Sequence, residues 1–139
     1  RQKAKQGAGL LGSPAPFGYE YNNGKLIGVD EELRIVKQIF RDYVEGKGMK
    51  EIAEFLNKEG IKTKRGGKWD RKTISRILSN PVYCGIIEWE EILFEGEHEK
   101  VVSIEEFNEV QKIKFKKAKK KGNVFIIERM EKKYIQKLN

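Results

Sequence analysis

A chain of 139 residues fits one domain with short appendages, and a domain of this length buries roughly two-thirds of its unfolded surface. A formal net charge of +8, with 36% charged and 38% hydrophobic residues, favours a polyanionic partner. One cysteine and one histidine exclude an internal disulfide framework and a four-ligand Cys/His zinc site, and no apolar run approaches the ~20 residues of a membrane helix.

The first residue, Arg1, implies a piece of a longer protein, and there is no signal-peptide pattern behind it. Residues 1–6 (RQKAKQ) read either as the frayed end of a helix or as a basic tag. Residues 7–16, rich in Gly, Ala and Pro, read as a linker. Residues 17–21 and 25–29 flank Asn22-Asn23-Gly24, a hairpin signal because Asn and Gly tolerate positive φ. Phe17 and Tyr19 share one face there and are expected in the core rather than on a base. A helix is predicted over 30–45, capped by Asp30 and ended by Gly46, with Glu31 and Glu32 at its positive end. Its apolar face is Leu33, Val36, Ile39, Phe40, Tyr43 and Val44. A second amphipathic helix is predicted over 48–59, with Met49, Ile52, Ala53 and Leu56 as its stripe and Gly60 as its stop.

The stretch 60–85 (GIKTKRGGKWDRKTISRILSNPVYCG) carries the strongest functional signal. Its loop, 61–69, bears Lys62, Lys64, Arg65 and Lys68, placed to touch a phosphate backbone. A short helix follows from the N-cap Asp70 to about Asn80, before Pro81. Ile74, Ile77 and Leu78 share one face of it, and Lys72, Arg76 and Ser79 point the opposite way. Arg71 and Ser75 flank that polar face on one side and Thr73 on the other. A helix with this front has the form of one that enters a DNA major groove; a solvated surface helix has the same pattern. With the helix over 48–59 it makes a helix-turn-helix-like pair whose connection is longer than a tight turn.

Further on, 83–89 reads as a strand with Cys84 as a small buried thiol, and 92–94 and 100–102 are expected to pair with it around a turn at Gly96. Glu88, Glu90, Glu91, Glu95, Glu97 and Glu99 make an acidic patch, expected to face away from DNA or towards a protein partner. Without supporting His or Asp they do not read as a metal or acid–base site. Ser103 to Glu106 is a capping box opening a helix to about 121, with Ile104, Phe107 and Val110 packing early. Its lysine-rich end places Lys116, Lys117, Lys119 and Lys120 as candidate DNA-backbone contacts; a solvated helix end and a lead into a downstream domain are the alternatives. Residues 122–139 leave open a strand or an amphipathic helix. Ser13, Ser75, Ser79 and Ser103 each lack a local base or oxyanion partner, so no nucleophile is assigned.

The motifs PFGY at 16–19, EIAEFLNKEGI at 51–61, KRGGKW at 64–69, TISRILSNPVYCG at 73–85 and VVSIEEFNEVQ at 101–111 occur in order with the helix over 30–46. In this order the chain resembles, over roughly 7–121, the recombinase domain of the large serine recombinases, the integrases and transposases of phages and mobile elements. Where that family commonly has a capping Ser, this chain has Gly48, which caps nearly as well. The resemblance implies an α+β, mainly helical fold: a helix-turn-helix-like DNA-binding domain with short β-hairpins and a long C-terminal basic helix. It implies a basic linker from an upstream catalytic domain at 1–16, a recombinase-type domain at 17–121 and a tail at 122–139. The implied function is sequence-specific binding of double-stranded DNA at attachment sites, positioning the serine recombinase catalytic domain for integration or excision. The catalytic serine would lie upstream, so this stretch is not itself expected to be the enzyme, although its parent is. The resemblance also implies self-association on DNA and a bacterial cytoplasmic location; from the residues themselves no cofactor, metal or membrane is expected. The zinc ribbon that usually follows in the family does not occur within these residues. A transcription regulator built on a helix-turn-helix, and an RNA- or protein-interaction module, are the competing classes.

Overall fold

Asn23 and Gly24 take φ of 52° and 78°, and the two-residue turn they form joins β1 (Tyr19–Asn22) to β2 (Lys25–Gly28). Such a turn matches the twist of antiparallel strands, which is why Asn-Gly signals it. The computed structural model of the protein describes residues 14–118 and 124–135. The expectations for residues 1–13 lie outside that range; of the predicted linker's end, Ala15 is buried.

Helix α1 (Asp30–Val44) follows directly. Val29, not Asp30, occupies the N-cap, so Asp30 joins Glu31 and Glu32 in the first turn, where all three favour the helix dipole. Leu33, Val36, Ile39, Phe40 and Tyr43 are buried as expected, but Val44 is 49% exposed. It is the last helical residue and lines an open surface cleft with Val101 and Val102. Asp42 is buried on this helix and accepts from Gln38 Nε2 at 2.7 Å.

Helix α2 (Met49–Lys58) buries Ile52, Ala53 and Leu56, with Met49 half-buried, and ends where Gly60 takes φ of 79°. Helix α3 (Arg71–Leu78) packs against it and buries Ile74, Ile77 and Leu78. Asp70 caps α3 as predicted, accepting from Thr73 N at 2.9 Å.

The segment after α3 departs from the reading of the sequence. Residues Pro81–Cys84 form a 3₁₀ turn, not the start of a strand; Asn80 Oδ1 caps it, and Gly85 ends it at φ 86°. Pro81 lacks an N–H and has its φ pre-set, which suits the first position of such a turn. The strand is β3 (Ile86–Trp89), paired antiparallel with β4 (Ile92–Glu95). The hairpin turns at Glu90 and Glu91, at φ of 49° and 70°, and not at Gly96, whose N–H extends the ladder to Gly85 O. Residues 100–102 form no third strand: the N–H groups of Val101 and Val102 both donate to Tyr83 O, at 2.8 and 3.1 Å.

Helix α4 (Ile104–Lys117) opens with the predicted capping box between Ser103 and Glu106. Phe107 and Val110 are fully buried, while Ile104 is partly buried. The helix stops at Lys117 rather than near residue 121, because Ala118 is already extended. Lysines four apart repel one another on a helix, and here the chain must also return to pack on α4. It does so as β5 (Val124–Glu128) and β6 (Glu131–Ile135), a hairpin turning at Arg129 and Met130. That resolves the open choice for Val124 to Ile127 in favour of a strand. The Phe107 and Phe125 rings meet at 5.9 Å, and Lys132 forms an ion pair with Glu88 of β3.

Among the described residues, the helices and three hairpins thus make an α+β, mainly helical fold around one core. Tyr19 and Tyr83 stack at its centre, 5.9 Å apart, each hydroxyl donating to a backbone carbonyl, Glu99 O and Phe17 O respectively. Cys84 is buried, and loss of solvent pushes its thiol up to about 12.

Candidate nucleic-acid interface

Trp69 fixes the basic loop. It is 3% exposed, meets Phe17 edge-on at 5.0 Å and donates its indole N–H to Ile61 O at 3.1 Å. Its backbone is held at both polar groups by Asn57 of α2. Between Ile61 and Trp69 the chain makes a tight turn: Gly66 N donates to Thr63 O at 2.8 Å and Gly67 N to Thr63 Oγ1 at 3.0 Å. Gly66 takes φ of 85° there, which an L side chain rarely adopts. The loop is therefore anchored at its ends and presents Lys62, Arg65 and Lys68 outward, all exposed.

Helix α3 stands between two clefts. One, of about 600 Å³, has Phe17, Trp69, Ile77 and Tyr83 among its lining and is edged by Lys64, Arg65, Lys68, Thr73 and Arg76. The other, of about 410 Å³, lies between α3 and α4 and is lined by Arg71, Lys72, Ser75, Lys114 and Lys117, with Tyr43, Gly48 and Met49 behind. The loop and both flanks of α3 thus bring most of the sequence-predicted residues together. Arg71, Lys72 and Arg76 are exposed cations on α3.

Several predicted residues already have partners. Lys64 Nζ lies 2.8 Å from Glu32 Oε1, an oxygen that also accepts from Gly18 N. Thr73 donates its hydroxyl to Asp70, and the two Thr73 bonds hold the Asp70 carboxyl below its usual range. Ser75 and Ser79 both accept from Lys114, Ser75 at 3.4 Å. Lys117 holds its ammonium 4.8 Å from the centroid of the Tyr43 ring. Lys116 is exposed, and Lys119 and Lys120 lie outside the described residues.

Lys114 was not singled out in the sequence. Its spacing from Phe107, Val110 and Gln111 puts it on the inner face of α4, a signal that the surrounding lysine run obscures. Burial depresses its pKa below the ordinary lysine value. Gln111, also unforeseen, is buried and donates to Leu78 O at 2.6 Å, tying α4 to the end of α3. Among the described residues no group of three or more His, Cys, Asp or Glu is placed to hold a metal, and no helix is long and apolar enough to cross a membrane.

A family model described as Recombinase matches residues 30–117, more than half of the chain, and the chain belongs to that family. This is the family to which the residue motifs pointed. Two solved structures share the fold. One, from work on the sequence requirements of the Listeria innocua prophage attP site, has a TM-score of 0.64 at 23% identity, over 96% of this chain and 68% of that one. The other, the crystal structure of an LSR–DNA complex, has a TM-score of 0.63 at 23% identity, over 94% of this chain and 49% of that one. An immunity region protein of Bacillus phage phi105, named protein 5, is 37% identical over 68 residues, 49% of this chain. That match spans about half of the curated relative, 51% of its length.

Proposed function

We propose that this chain binds duplex DNA sequence-specifically at recombination attachment sites and positions a serine recombinase catalytic domain carried elsewhere in its parent protein. One observation carries the reading: Arg65 and Lys68 of an anchored loop line one cleft with Arg76 of the helix that the loop leads into, and Arg71 and Lys72 are exposed on that helix beside the second cleft. Family membership supports it, as does a fold shared with a protein solved on DNA and with one studied at an attP site. In this reading α2 and α3 act as a helix-turn-helix with a long connection, and α3 is the recognition helix. The loop and the lysines of α4 meet phosphates. The chain contributes no nucleophile, self-associates through its parent on DNA, and works in the cytoplasm of a bacterial host.

The test is binding of the chain to an attachment-site duplex and to a scrambled duplex across a range of salt. Affinity should fall with a log–log slope of about −0.9 per phosphate contacted, and the attachment site should be preferred. Affinity that is flat in salt, or a single-stranded RNA that outcompetes both duplexes, overturns the reading.

A further inference from the structure

The cleft between α3 and α4 gathers four cationic side chains. Arg71 and Lys72 reach it from the first turn of α3, and Lys114 and Lys117 from the end of α4. Lys114 is half-buried there, and its ammonium donates to the hydroxyls of Ser75 and Ser79. Among the described residues no carboxylate makes a contact ion pair with Lys114, Lys117, Arg71 or Lys72; Asp70 acts on Lys72 only at longer range. A desolvated cation is costly without an opposite charge, and two neutral hydroxyls orient the ammonium without supplying one. Lys117 is set on the far side by the Tyr43 ring. Space remains at the wall formed by Gly48, where an added Cβ meets no atom within 4 Å.

We propose that this cleft seats a backbone phosphate of duplex DNA, with Lys114 at its base and Arg71, Lys72 and Lys117 around it. The proposal rests on the DNA-binding reading above and adds to it a fixed anchor on the α4 side of α3. The opposite flank, with Arg76, faces the other cleft. Phosphate contacts fix orientation and register, while base contacts carry the sequence information. A phosphate held between α3 and α4 would set the height at which Arg76 meets the base edges.

The experiment compares the whole chain with Lys114→Met and Lys114→Arg on a mixed-sequence duplex between 50 and 200 mM salt. Losing one phosphate contact should make the log–log slope of Lys114→Met shallower by about 0.9, so that the wild-type advantage shrinks about 3- to 4-fold over that range. Lys114→Arg should restore most of the slope. A Lys114→Met slope equal to that of a salt-sensitive wild type overturns the seat while leaving the DNA-binding reading intact. A wild type that does not bind duplex at all removes both. Millimolar inorganic phosphate at constant ionic strength should leave duplex affinity unchanged; displacement of the duplex would make the free anion the ligand and reject the assignment. If Lys114→Met does not fold, Gly48→Asp decides. Its φ of −77° and ψ of 159° accept any residue, and the new carboxylate would cap α2 while facing the seat. Affinity should drop at least several-fold with the melting temperature kept or raised, and unchanged affinity overturns the proposal.

Discussion

Asn57 pairs with Trp69 through both ends of its amide: Oδ1 accepts the Trp69 N–H at 2.8 Å and Nδ2 donates to the Trp69 carbonyl at 2.9 Å. The side chain of α2 thereby does for one residue what a neighbouring strand would do. It fixes where the basic loop ends and where α3 begins. Asn57→Ala leaves a part-buried N–H and C=O without partners, a loss of about 1–3 kcal/mol. Asn57→Asp keeps the acceptor and loses the donor, so it should fall between the two. Chemical denaturation of the three proteins checks the order; an Asn57→Ala midpoint equal to wild type would show that the pairing contributes nothing.

The same device recurs at the far end of the chain. Asn108 of α4 accepts from Ile127 N and donates to Ile127 O, both at 2.8 Å. It pins the β5–β6 hairpin, whose other main attachments are the Phe107–Phe125 contact and the Lys132–Glu88 pair. Asn108→Ala should therefore speed amide hydrogen exchange in Val124–Glu128 while leaving α1, α2 and α3 protected. Equal acceleration across all elements, or unchanged exchange in Val124–Glu128, would mean that the hairpin is not a separately released unit.

These two pairings mark the limit of what the sequence discloses. The stripe of α2, the Asp70 cap of α3 and the Asn23-Gly24 turn were legible because each obeys a local rule of spacing or backbone geometry. Tyr83 and Cys84 lie in a 3₁₀ turn and not in the expected strand, because a short apolar run fits either equally well. The turn at Glu90 and Glu91 carries no Gly or Asn to announce it. The partnership of Lys64 with Glu32, and of Lys114 with Ser75 and Ser79, joins residues more than thirty positions apart. No local pattern encodes those contacts, so the sequence marks the basic residues as a group but does not say which of them have partners within the fold. Trp69 belongs to the same class: it closes a basic loop in sequence and anchors that loop in space.

His98 gives the fold a dependence on mildly acid pH. It sits edge-on to Tyr19 at 5.3 Å, and its neutral ring donates from Nε2 to Val82 O at 2.7 Å. Burial lowers its pKa below the usual 6.5, with the Val82 bond offsetting part of the effect. The unfolded chain then takes up the proton first as pH falls, so stability is complete above about 6.5 and declines below it. Denaturation midpoints of wild type should drop between pH 7.5 and 5.5, and those of His98→Gln should change less over that interval. Parallel declines in both proteins would place the acid sensitivity elsewhere.

Arg76 is the side chain on which base recognition by α3 is most directly tested. It is exposed on the flank of α3 that lines the larger cleft, while Ile74, Ile77 and Leu78 are buried, so truncating it leaves the core untouched. Its neighbours there are Lys68 and Thr73, and the Thr73 hydroxyl is committed to the Asp70 cap. Arg76 is thus the long donor from α3 on this flank, and a guanidinium can give two parallel hydrogen bonds to guanine O6 and N7, worth about 1–3 kcal/mol of discrimination. Arg76→Ala should relax preference at one base pair by ~5- to 150-fold, the same energy written as a ratio, with the other positions unchanged. A phosphate-contacting residue behaves differently: its loss weakens all duplexes alike and flattens the salt slope. Binding of wild type and Arg76→Ala across a library of single-base variants separates the two cases, with melting curves to verify the fold. A base preference that is the same at every position in both proteins would rule out direct readout by Arg76 and move the recognition surface off this flank of α3.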